Sequence, residues 1–386
     1  MKIVFLQNTV DAQGGIVTVN RTLAEAFLSA GAEVFFLSLR HAPVRSRVAY
    51  PAAAHTELVN DRDDWDCPRY AEAAALLRAK KPAAALRHIG RRLRYDRALR
   101  RDYRACRAHL SAIDPDIVIN SHYELLSCIP PRLLPRTINH FHTSFGQVLE
   151  LKSYQATFRR YQNKIGKFVW LSHASCEAAK RFGLENSCCI YNPIAFSSEQ
   201  TADLSVHRAL FLGRFSPEKQ LNTAISLFRE AADRAAAPWE LDIYGVGELD
   251  AASEAQIAAD SRVHYLGSTS TPREVFLRHS LFLMTSRFEG MPLVVLEAAE
   301  CGVPTIAMDF GETAPEVVLN GRTGILLPAG AKEAYAAELT CLLDRPDLRE
   351  ELGAGAKQYA AGFALPAIAA QWFSLFSELS KQGASL

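Results

Sequence analysis

Two glutamates with seven residues between them, Glu289 and Glu297, have the spacing and the side chains to carry chemistry. Gly290 and Pro292 place the first glutamate in a loop, whereas the second falls inside the helix expected from Leu293. The N-terminus of that helix would favour a phosphate. Since like charges repel, the Glu289 carboxylate, just ahead of that helix, would not hold the phosphate. Glu289 would instead accept hydrogen bonds from sugar hydroxyls, and Glu297 from ribose hydroxyls. By spacing alone, a helix cap and a solvated helical carboxylate are the better explanation.

The elements that would position these residues alternate short β-branched runs with helical patterns, which indicates parallel sheets covered on both faces. A second series of strands and helices begins near residue 207, after a polar segment, 191–205, that is the best linker candidate. This order predicts two Rossmann-like domains facing each other across a cleft. Strands are predicted at 2–7, 34–39, 116–120, 137–141 and 167–171 in the first half, and within 208–215, 239–245, 262–267, 281–286, 304–309 and 324–328 in the second.

Length and composition also indicate two globular domains. The chain has 386 residues, which is too long for one hydrophobic core. Its composition, 49% hydrophobic and 22% charged residues, is ordinary for a folded protein. No run approaches the roughly 20 apolar residues of a membrane span, and the first apolar run is too short for a signal peptide. Eight cysteines without a CxxC pair favour reduced thiols over disulfides or a zinc site. We therefore expect a cytoplasmic protein.

Residues 286–309 resemble the C-terminal signature of glycosyltransferase family 4, a retaining family with the GT-B fold, in the E-x7-E pair, the intervening G-x-P and the CGVP that follows. Residues 210–228 are similar to that family's first C-domain strand, basic loop and helix, and 309–328 to its closing segment. The motifs are strong at 208–328 and loose before residue 190. The resemblance implies an α/β GT-B fold, with an acceptor domain at 1–195, a nucleotide-sugar domain at 196–365 and a helix at 366–386 that crosses back to the N-terminal domain.

Arg214 and Lys219 match the two cations that family members set against the donor diphosphate. Chemistry asks for cations there independently, because departure of a nucleoside diphosphate builds negative charge on the leaving oxygens. Gln220 stands where many members carry glycine, and we expect it to alter only the loop. Gly245 and Gly247 resemble the family's glycine turn beside the donor base, although a tight strand-to-helix turn explains them equally well.

The N-terminal half offers fewer matches. Gly14 and Gly15 match the family's glycine loop, which lies under the donor phosphates and the reacting carbon. His142 resembles a histidine that some members place near the sugar and the reacting carbon; a packed or capping histidine is the alternative. In continued strand geometry His140 would share its face, and the family match favours His142. The resemblance thus implies catalytic roles for His142, Arg214, Lys219 and Glu289, donor contacts from Gly14, Gly15, Gly245, Gly247, Gly290, Met291, Pro292, Leu293 and Glu297, and no metal ligand.

Residues 78–107 form a strongly basic segment in which only Asp96 and Asp102 are acidic. Apolar residues near helical spacing predict an amphipathic helix or helix pair. Anionic lipid or a polyanionic acceptor would be attracted at about 1 kcal/mol per basic residue, but solvated arginines around a packed apolar stripe explain the segment equally. Nucleic acid is disfavoured because no binding module accompanies it. The basic residues are Arg78, Lys80, Lys81, Arg87, Arg91, Arg92, Arg94, Arg97, Arg100, Arg101, Arg104 and Arg107, and the apolar ones are Leu86, Ile89, Leu93, Leu99, Tyr103, Cys106 and Leu110.

The resemblance and the residues together predict transfer of a hexose-type sugar from a UDP-sugar to an acceptor hydroxyl, with retention and without metal or cofactor. The expected acceptor is a glycan, lipid-linked or polyanionic precursor of the cell envelope, with peripheral contact at the inner face of an anionic membrane. A GT-B nucleotide-sugar epimerase and a non-catalytic GT-B binding partner remain alternatives. A dinucleotide oxidoreductase is excluded because the first strand is not followed by GxGxxG. Asp61-Arg62-Asp63 lies in a polar stretch and predicts a solvated loop rather than a metal site.

Overall fold

The computed structural model describes residues 1–10, 14–42, 49–61 and 70–383. Arg62 and Asp63 of the Asp-x-Asp stretch, and Cys67, lie outside the described residues. The chain divides into two compact units, and each is described by itself. The domain limits expected at 195/196 and 365/366 stay a prediction. The first unit comprises Met1–Phe141, Lys152–Val169 and Phe373–Leu386, and the second comprises His142–Leu151 and Trp170–Trp372.

The first half of the chain builds a parallel sheet whose described strands run in the order β3-β2-β1-β4-β5-β6-β7. Its central strands are mostly apolar because both faces of the sheet are covered there. Ile3 pairs with Val34 on one side and Ile117 on the other, and all three are fully buried. The elements are β1 Lys2–Thr9, α1 Gly15–Ser29, β2 Glu33–Arg40, β3 His55–Leu58, α2 Tyr70–Arg78, α3 Pro82–Ile113, β4 Ile117–Asn120, 3-10 turns Tyr123–Cys128 and Pro131–Arg136, β5 Thr137–His140, α4 Phe145–Glu150, α5 Lys152–Tyr161, β6 Lys167–Trp170, α6 His173–Arg181 and β7 Ser187–Cys189.

The second half builds another parallel sheet, in the order β10-β9-β8-β11-β12-β13 among the described residues. The order reverses between β8 and β11, and the carboxyl ends of strands at such a switch point are where open α/β sheets bind ligands. The elements are β8 Arg208–Arg214, α7 Leu221–Ala232, β9 Glu240–Val246, α8 Ala251–Ala258, β10 Val263–Tyr265, α9 Pro272–Phe276, β11 Leu281–Met284, α10 Leu293–Glu300, β12 Thr305–Met308, α11 Ala314–Val317, β13 Gly324–Leu327, α12 Lys332–Asp344, α13 Pro346–Ala360, the 3-10 turn Ala361–Phe363 and α14 Leu365–Gly383.

Two parallel sheets of Rossmann-like type with flanking helices confirm the predicted α/β fold class. Within the first unit, Phe373 and Phe376 of α14 pack edge-on against Phe27, and Glu378 accepts a hydrogen bond from Lys167 at 2.6 Å. The helical segment Pro346–Ser380 is long and apolar enough to cross a membrane by length and composition, since an 18-residue window in it has a mean hydropathy of 1.3. Core helices of soluble proteins meet the same criterion, so this is weak evidence for a span.

The basic segment comprises the last residue of α2, Arg78, and most of α3, so the predicted helix is present and nearly all of the segment lies in α3. The predicted apolar stripe is wrong in its first half. Cys106 and Leu110 are buried, but the side chains of Leu86 and Leu93 are 69% and 46% exposed. The first turns of α3 therefore carry leucines and arginines together in solvent.

Candidate functional site

The loops that follow β8 and β11 meet at the switch point through an ion pair. Lys219 Nζ donates to Glu289 Oε1 at 2.5 Å, and each side chain is only 15% exposed. A charge-assisted hydrogen bond of this kind, partly withdrawn from water, is stronger than a surface pair. Sequence reasoning assigned the two residues to different parts of a donor. The structure brings them into direct contact with each other.

Thr285 fixes the backbone that carries Lys219. Its buried hydroxyl lies 3.1 Å from the carbonyl oxygens of both Lys219 and Gln220, so it can donate to either. Gln220 has φ 52 and ψ 48, in the left-handed region that favours glycine. The Lys219 side chain crosses Gly213, where a Cβ would lie 3.8 Å from its Cδ and Cε. Arg214, the next residue, is exposed at the end of β8.

Gly245, near the end of β9, and Gly247, just after it, pack against the start of the loop that follows β8. A Cβ on Gly245 would lie 2.2 Å from the carbonyl oxygen of Gly213 and 2.5 Å from the Phe215 ring, and Gly247 has φ 116. Phe215 also donates its backbone N–H to Val246 O at 2.8 Å. Close packing and backbone conformation therefore account for both glycines. Their contact with a donor base stays a prediction.

Gly290 allows the Glu289 loop to lie against His142. A Cβ on Gly290 would stand 2.0 Å from the His142 carbonyl oxygen, so only glycine fits. His142 is half-buried in a bend two residues beyond the end of β5. The strand does not continue to residue 142, so His140 and His142 do not share a strand face. His140 is fully withdrawn into β5, where burial lowers its pKa to about 3. The structure thus places the His142 backbone beside the Glu289 loop.

The segment Met291–Leu293 leads into α10 as the sequence predicts. Pro292 is the residue that precedes the helix, and Met291 and Pro292 are buried while Leu293 is half-buried. Glu289 N–H donates to Phe310 O at 3.2 Å, which ties the loop to the one after β12. The first-turn amides of α10 are those that an α-helix leaves without an intrahelical acceptor. They supply positive partial charge at the start of the helix into which the Glu289 loop leads.

Glu297 lies within α10 with 8% of its surface exposed, and burial raises the pKa of its carboxyl to about 7. Glu300, on the same helix, is different, because its Oε1 receives hydrogen bonds from Lys357 Nζ and from Ser198 N–H, both at 2.8 Å. A buried carboxyl poised near neutrality is typical of a functional group rather than of a helix surface.

Gly14 and Gly15 belong to the first unit, at the N-terminus of α1. Gly14 has φ 150, and a Cβ there would meet nothing within 4 Å. Backbone conformation rather than packing therefore calls for glycine. Its carbonyl accepts the Thr18 N–H at 3.1 Å, which starts the helix.

Glu312 and Glu316 cap short helices of the second unit. The sequence did not predict contacts for either glutamate. Glu312 accepts the backbone N–H groups of Phe145 and Gly146 at the start of α4, at 3.3 and 3.0 Å, and the hydroxyl of Ser175. A carboxylate at a helix N-terminus is stabilising. Its partners lie well over a hundred residues away, so no local pattern announces the contact.

Comparison with known proteins bears on the second half above all. Residues 197–359 match the family described as "Glycosyl transferases group 1". An exopolysaccharide phosphotransferase of Streptomyces coelicolor is 29% identical over 282 residues, covering 70% of this chain and 29% of that protein. A Campylobacter jejuni α-1,4-N-acetyl-D-galactosaminyltransferase that acts on an undecaprenol-diphosphate glycan is 24% identical over 49% of this chain and 54% of its own length. The chain thus spans about half or less of these relatives.

The crystal structure of TarM is similar over the whole fold. It superposes with a TM-score of 0.74 at 14% identity, and the match covers 97% of this chain and 98% of TarM. At this identity the likeness concerns the fold alone. The family match thus concerns residues 197–359, and the likeness to TarM concerns the fold of nearly the whole chain.

Proposed function

We propose that this protein is a retaining glycosyltransferase that moves a hexose-type sugar from a UDP-sugar to an acceptor hydroxyl of a cell-envelope glycan or lipid-linked precursor. The observation that carries the proposal is the Lys219–Glu289 pair, held between the loops after β8 and β11 at the switch point of the second sheet. A cation for a diphosphate and a carboxylate for sugar hydroxyls stand side by side there, ahead of a helix N-terminus.

Lys219 would stabilise the leaving diphosphate. An ammonium group has three donors, and the hydrogen bond to Glu289 uses one of them, which leaves two for phosphate oxygens. Arg214 would supply a second cation, and the first turn of α10 would supply backbone N–H groups. Fixed positive charge acts on the leaving group as negative charge develops in the transition state. These groups would do the work of a metal ion, so the proposed transfer needs none.

Glu289 and Glu297 would bind the two sugars of the donor, the transferred hexose and the ribose. Glu289, already oriented by Lys219, would accept hydrogen bonds from hydroxyls of the transferred hexose. Glu297 would accept from the ribose hydroxyls, and those hydrogen bonds would favour its ionised form. Donor binding should therefore strengthen as the pH rises through about 7, the pKa of the Glu297 carboxyl in the free protein. His142, beside Gly290, would lie close to the reacting carbon.

The names of similar proteins support the substrate classes. The Campylobacter jejuni relative transfers N-acetylgalactosamine to a lipid-linked glycan, a Salmonella typhimurium relative is a lipopolysaccharide 1,6-galactosyltransferase, and a structure of TarM holds UDP. Retention follows from the resemblance to family 4, whose members displace the leaving group from the same face. We assign the acceptor to the first unit.

A lipid-linked acceptor would explain the basic face of α3. Its two acidic residues are engaged locally, Asp96 with Arg92 at 2.9 Å and Asp102 with Asn60 at 2.7 Å, and so do not neutralise the exposed arginines. We therefore include peripheral contact with an anionic membrane in the proposal, with the exposed Leu86 and Leu93 entering the interface. The exposed arginines at helical spacing are Arg87, Arg91, Arg94, Arg97, Arg101 and Arg104.

A donor screen tests the proposal. UDP-, GDP- and ADP-sugars are first ranked by the shift they cause in the melting temperature, and the best binder is then assayed for release of nucleoside diphosphate, with EDTA present throughout. Stabilisation by a UDP-sugar followed by slow EDTA-resistant hydrolysis is the expected result. Binding without release of UDP contradicts transfer and favours the non-catalytic partner, and release only after metal addition contradicts the metal-free mechanism.

A further inference from the structure

Three side chains of the second unit, unconnected with the donor residues, converge as metal ligands do. His173 begins α6, Cys189 ends β7 and Glu316 lies in α11. One ligand atom from each, imidazole nitrogen, thiol sulfur and carboxylate oxygen, lies within 4.8 Å of the other two. Ligand atoms around a tetrahedral Zn²⁺ stand roughly 3.3–3.6 Å apart, as follows from bond lengths of about 2.0–2.3 Å. To reach these separations, the ligand atoms would have to move by about an ångström through rotation of their side chains.

The Glu316 carboxylate is already fixed in position by other groups. Its Oε2 accepts hydrogen bonds from the backbone N–H of His173 at 2.9 Å and from the Tyr191 hydroxyl at 2.7 Å, and its Oε1 accepts one from the backbone N–H of Ala174 at 3.1 Å. A carboxylate offers about four lone-pair directions, so Oε1 keeps one for a further partner. Supporting hydrogen bonds of this type are what holds metal-ligating carboxylates in protein sites.

His173 and Cys189 are both accessible to an ion. The imidazole is exposed and the thiol is half-buried, and the His173 ring is held edge-on to Tyr191 at 5.8 Å between centroids. Tyr191 therefore contacts two of the three ligand residues. The positive end of α6 would oppose a cation, but Glu316 lies at that end and supplies a full negative charge against a partial one.

We propose that His173, Cys189 and Glu316 form a binding site for a transition-metal cation of the Zn²⁺ class. The nitrogen, sulfur and oxygen donors suit borderline metals such as Zn²⁺ and Co²⁺, whereas Mg²⁺ and Ca²⁺ prefer oxygen alone. Three protein ligands leave a fourth tetrahedral position for water or another ligand. The site lies outside the proposed donor residues, and the metal would join α6, β7 and α11 rather than act on the sugar.

Cobalt spectroscopy on the full chain tests the proposal. The protein is stripped with a chelator, kept reduced and titrated with Co²⁺, and Zn²⁺ is then added in competition. One equivalent of Co²⁺ should give a thiolate-to-cobalt charge-transfer band and the strong visible bands of a tetrahedral site, and Zn²⁺ should abolish both. Zn²⁺ should also raise the melting temperature, because it binds the folded chain.

Variants assign the ligands. Cys189→Ser should remove the charge-transfer band, and Glu316→Gln should weaken Co²⁺ binding; Tyr191→Phe, which removes a supporting hydrogen bond, should weaken binding by about 10- to 100-fold. Cys188→Ser is the matched control, since successive residues of a strand face opposite sides, and it should bind like the wild type. Each variant's fold is checked by circular dichroism in chelator. The proposal is overturned if the wild type shows no charge-transfer band, or if Cys188→Ser and Cys189→Ser lose the band equally. Neither result bears on whether the protein transfers a sugar.

Discussion

Replacing Glu297 by glutamine should make the protein more stable above neutral pH, although it removes a proposed donor contact. The carboxyl is buried in α10, and its pKa rises from 4.5 to about 7 on folding. The unfolded chain therefore loses this proton at a lower pH than the folded chain does. The folded state is penalised progressively as the pH rises from 4.5 through 7, and the penalty is complete above the folded pKa.

The size of the penalty follows from the same two values. A difference between 4.5 and about 7, at 1.36 kcal/mol per unit, corresponds to about 3 kcal/mol at pH 8 and about 1 kcal/mol at pH 5. Glutamine occupies nearly the same volume and has no charge to desolvate. Its advantage over glutamate should therefore grow by about 2 kcal/mol between these two pH values. Any constant effect of the amide on packing cancels in that difference.

Urea denaturation of the wild type and Glu297→Gln at pH 5 and pH 8 measures this directly. Glu300→Gln is the matched control, because Glu300 lies on the same helix but is paired with Lys357 at 2.8 Å. That variant should lose about 1 kcal/mol at pH 8, the opposite sign. An advantage of Glu297→Gln that does not grow with pH refutes the reasoning. Donor affinity, measured on the same samples, should fall roughly 10- to 100-fold, since the amide N–H cannot accept a ribose hydroxyl.

Three further predictions concern the loops and α3. Gly290→Ala should lower turnover by about 100-fold with the fold retained by circular dichroism, because its Cβ would meet His142 O at 2.0 Å and displace the Glu289 loop; near-normal turnover contradicts the packing argument. Gln220→Gly should raise stability in urea by about 0.5–1 kcal/mol, because φ 52 strains glutamine, and a loss of stability would show that its side chain matters more. Replacing Arg87, Arg91 and Arg94 by glutamine should weaken binding to phosphatidylglycerol vesicles by roughly 100-fold, at about 1 kcal/mol per arginine. Unchanged sedimentation with the vesicles would show that α3 is only a solvated helix. The control is a variant with the same change in net charge, in which glutamine replaces Arg229, Arg234 and Arg345.

Local patterns predicted the central elements of both sheets and the helix that carries Glu297, because buried parallel strands are continuously apolar and α10 follows a clear loop signal. The strands β3 and β7 were missed. β3 reads HTEL and is partly exposed, and β7 reads SCC, so neither has the composition of a buried strand. Edge and end strands are held by pairing with a neighbour, which sequence pattern does not reveal.

The candidate site shows a similar division between residues and contacts. Motif spacing identified Lys219 and Glu289 as candidate site residues, but it did not predict their direct pairing, which joins residues 70 positions apart. The requirement for glycine at position 290 depends on His142, from a different part of the chain. Leu86 and Leu93 fit a helical stripe by spacing, yet both are exposed, whereas Ala85 in the same turns of α3 is buried. Periodicity identifies an apolar face without identifying what packs on it.

Release of UDP from a UDP-sugar, compared between the wild type and Lys219→Ala in EDTA, tests the proposed function most directly. The variant should turn over roughly 100- to 1,000-fold more slowly, the effect of removing one group that stabilises developing negative charge. Lys357→Ala, which breaks another partly buried lysine–glutamate pair of the second unit, controls for stability and should keep its activity. Lys219→Ala with normal turnover, or Lys357→Ala with an equal loss, would contradict the account.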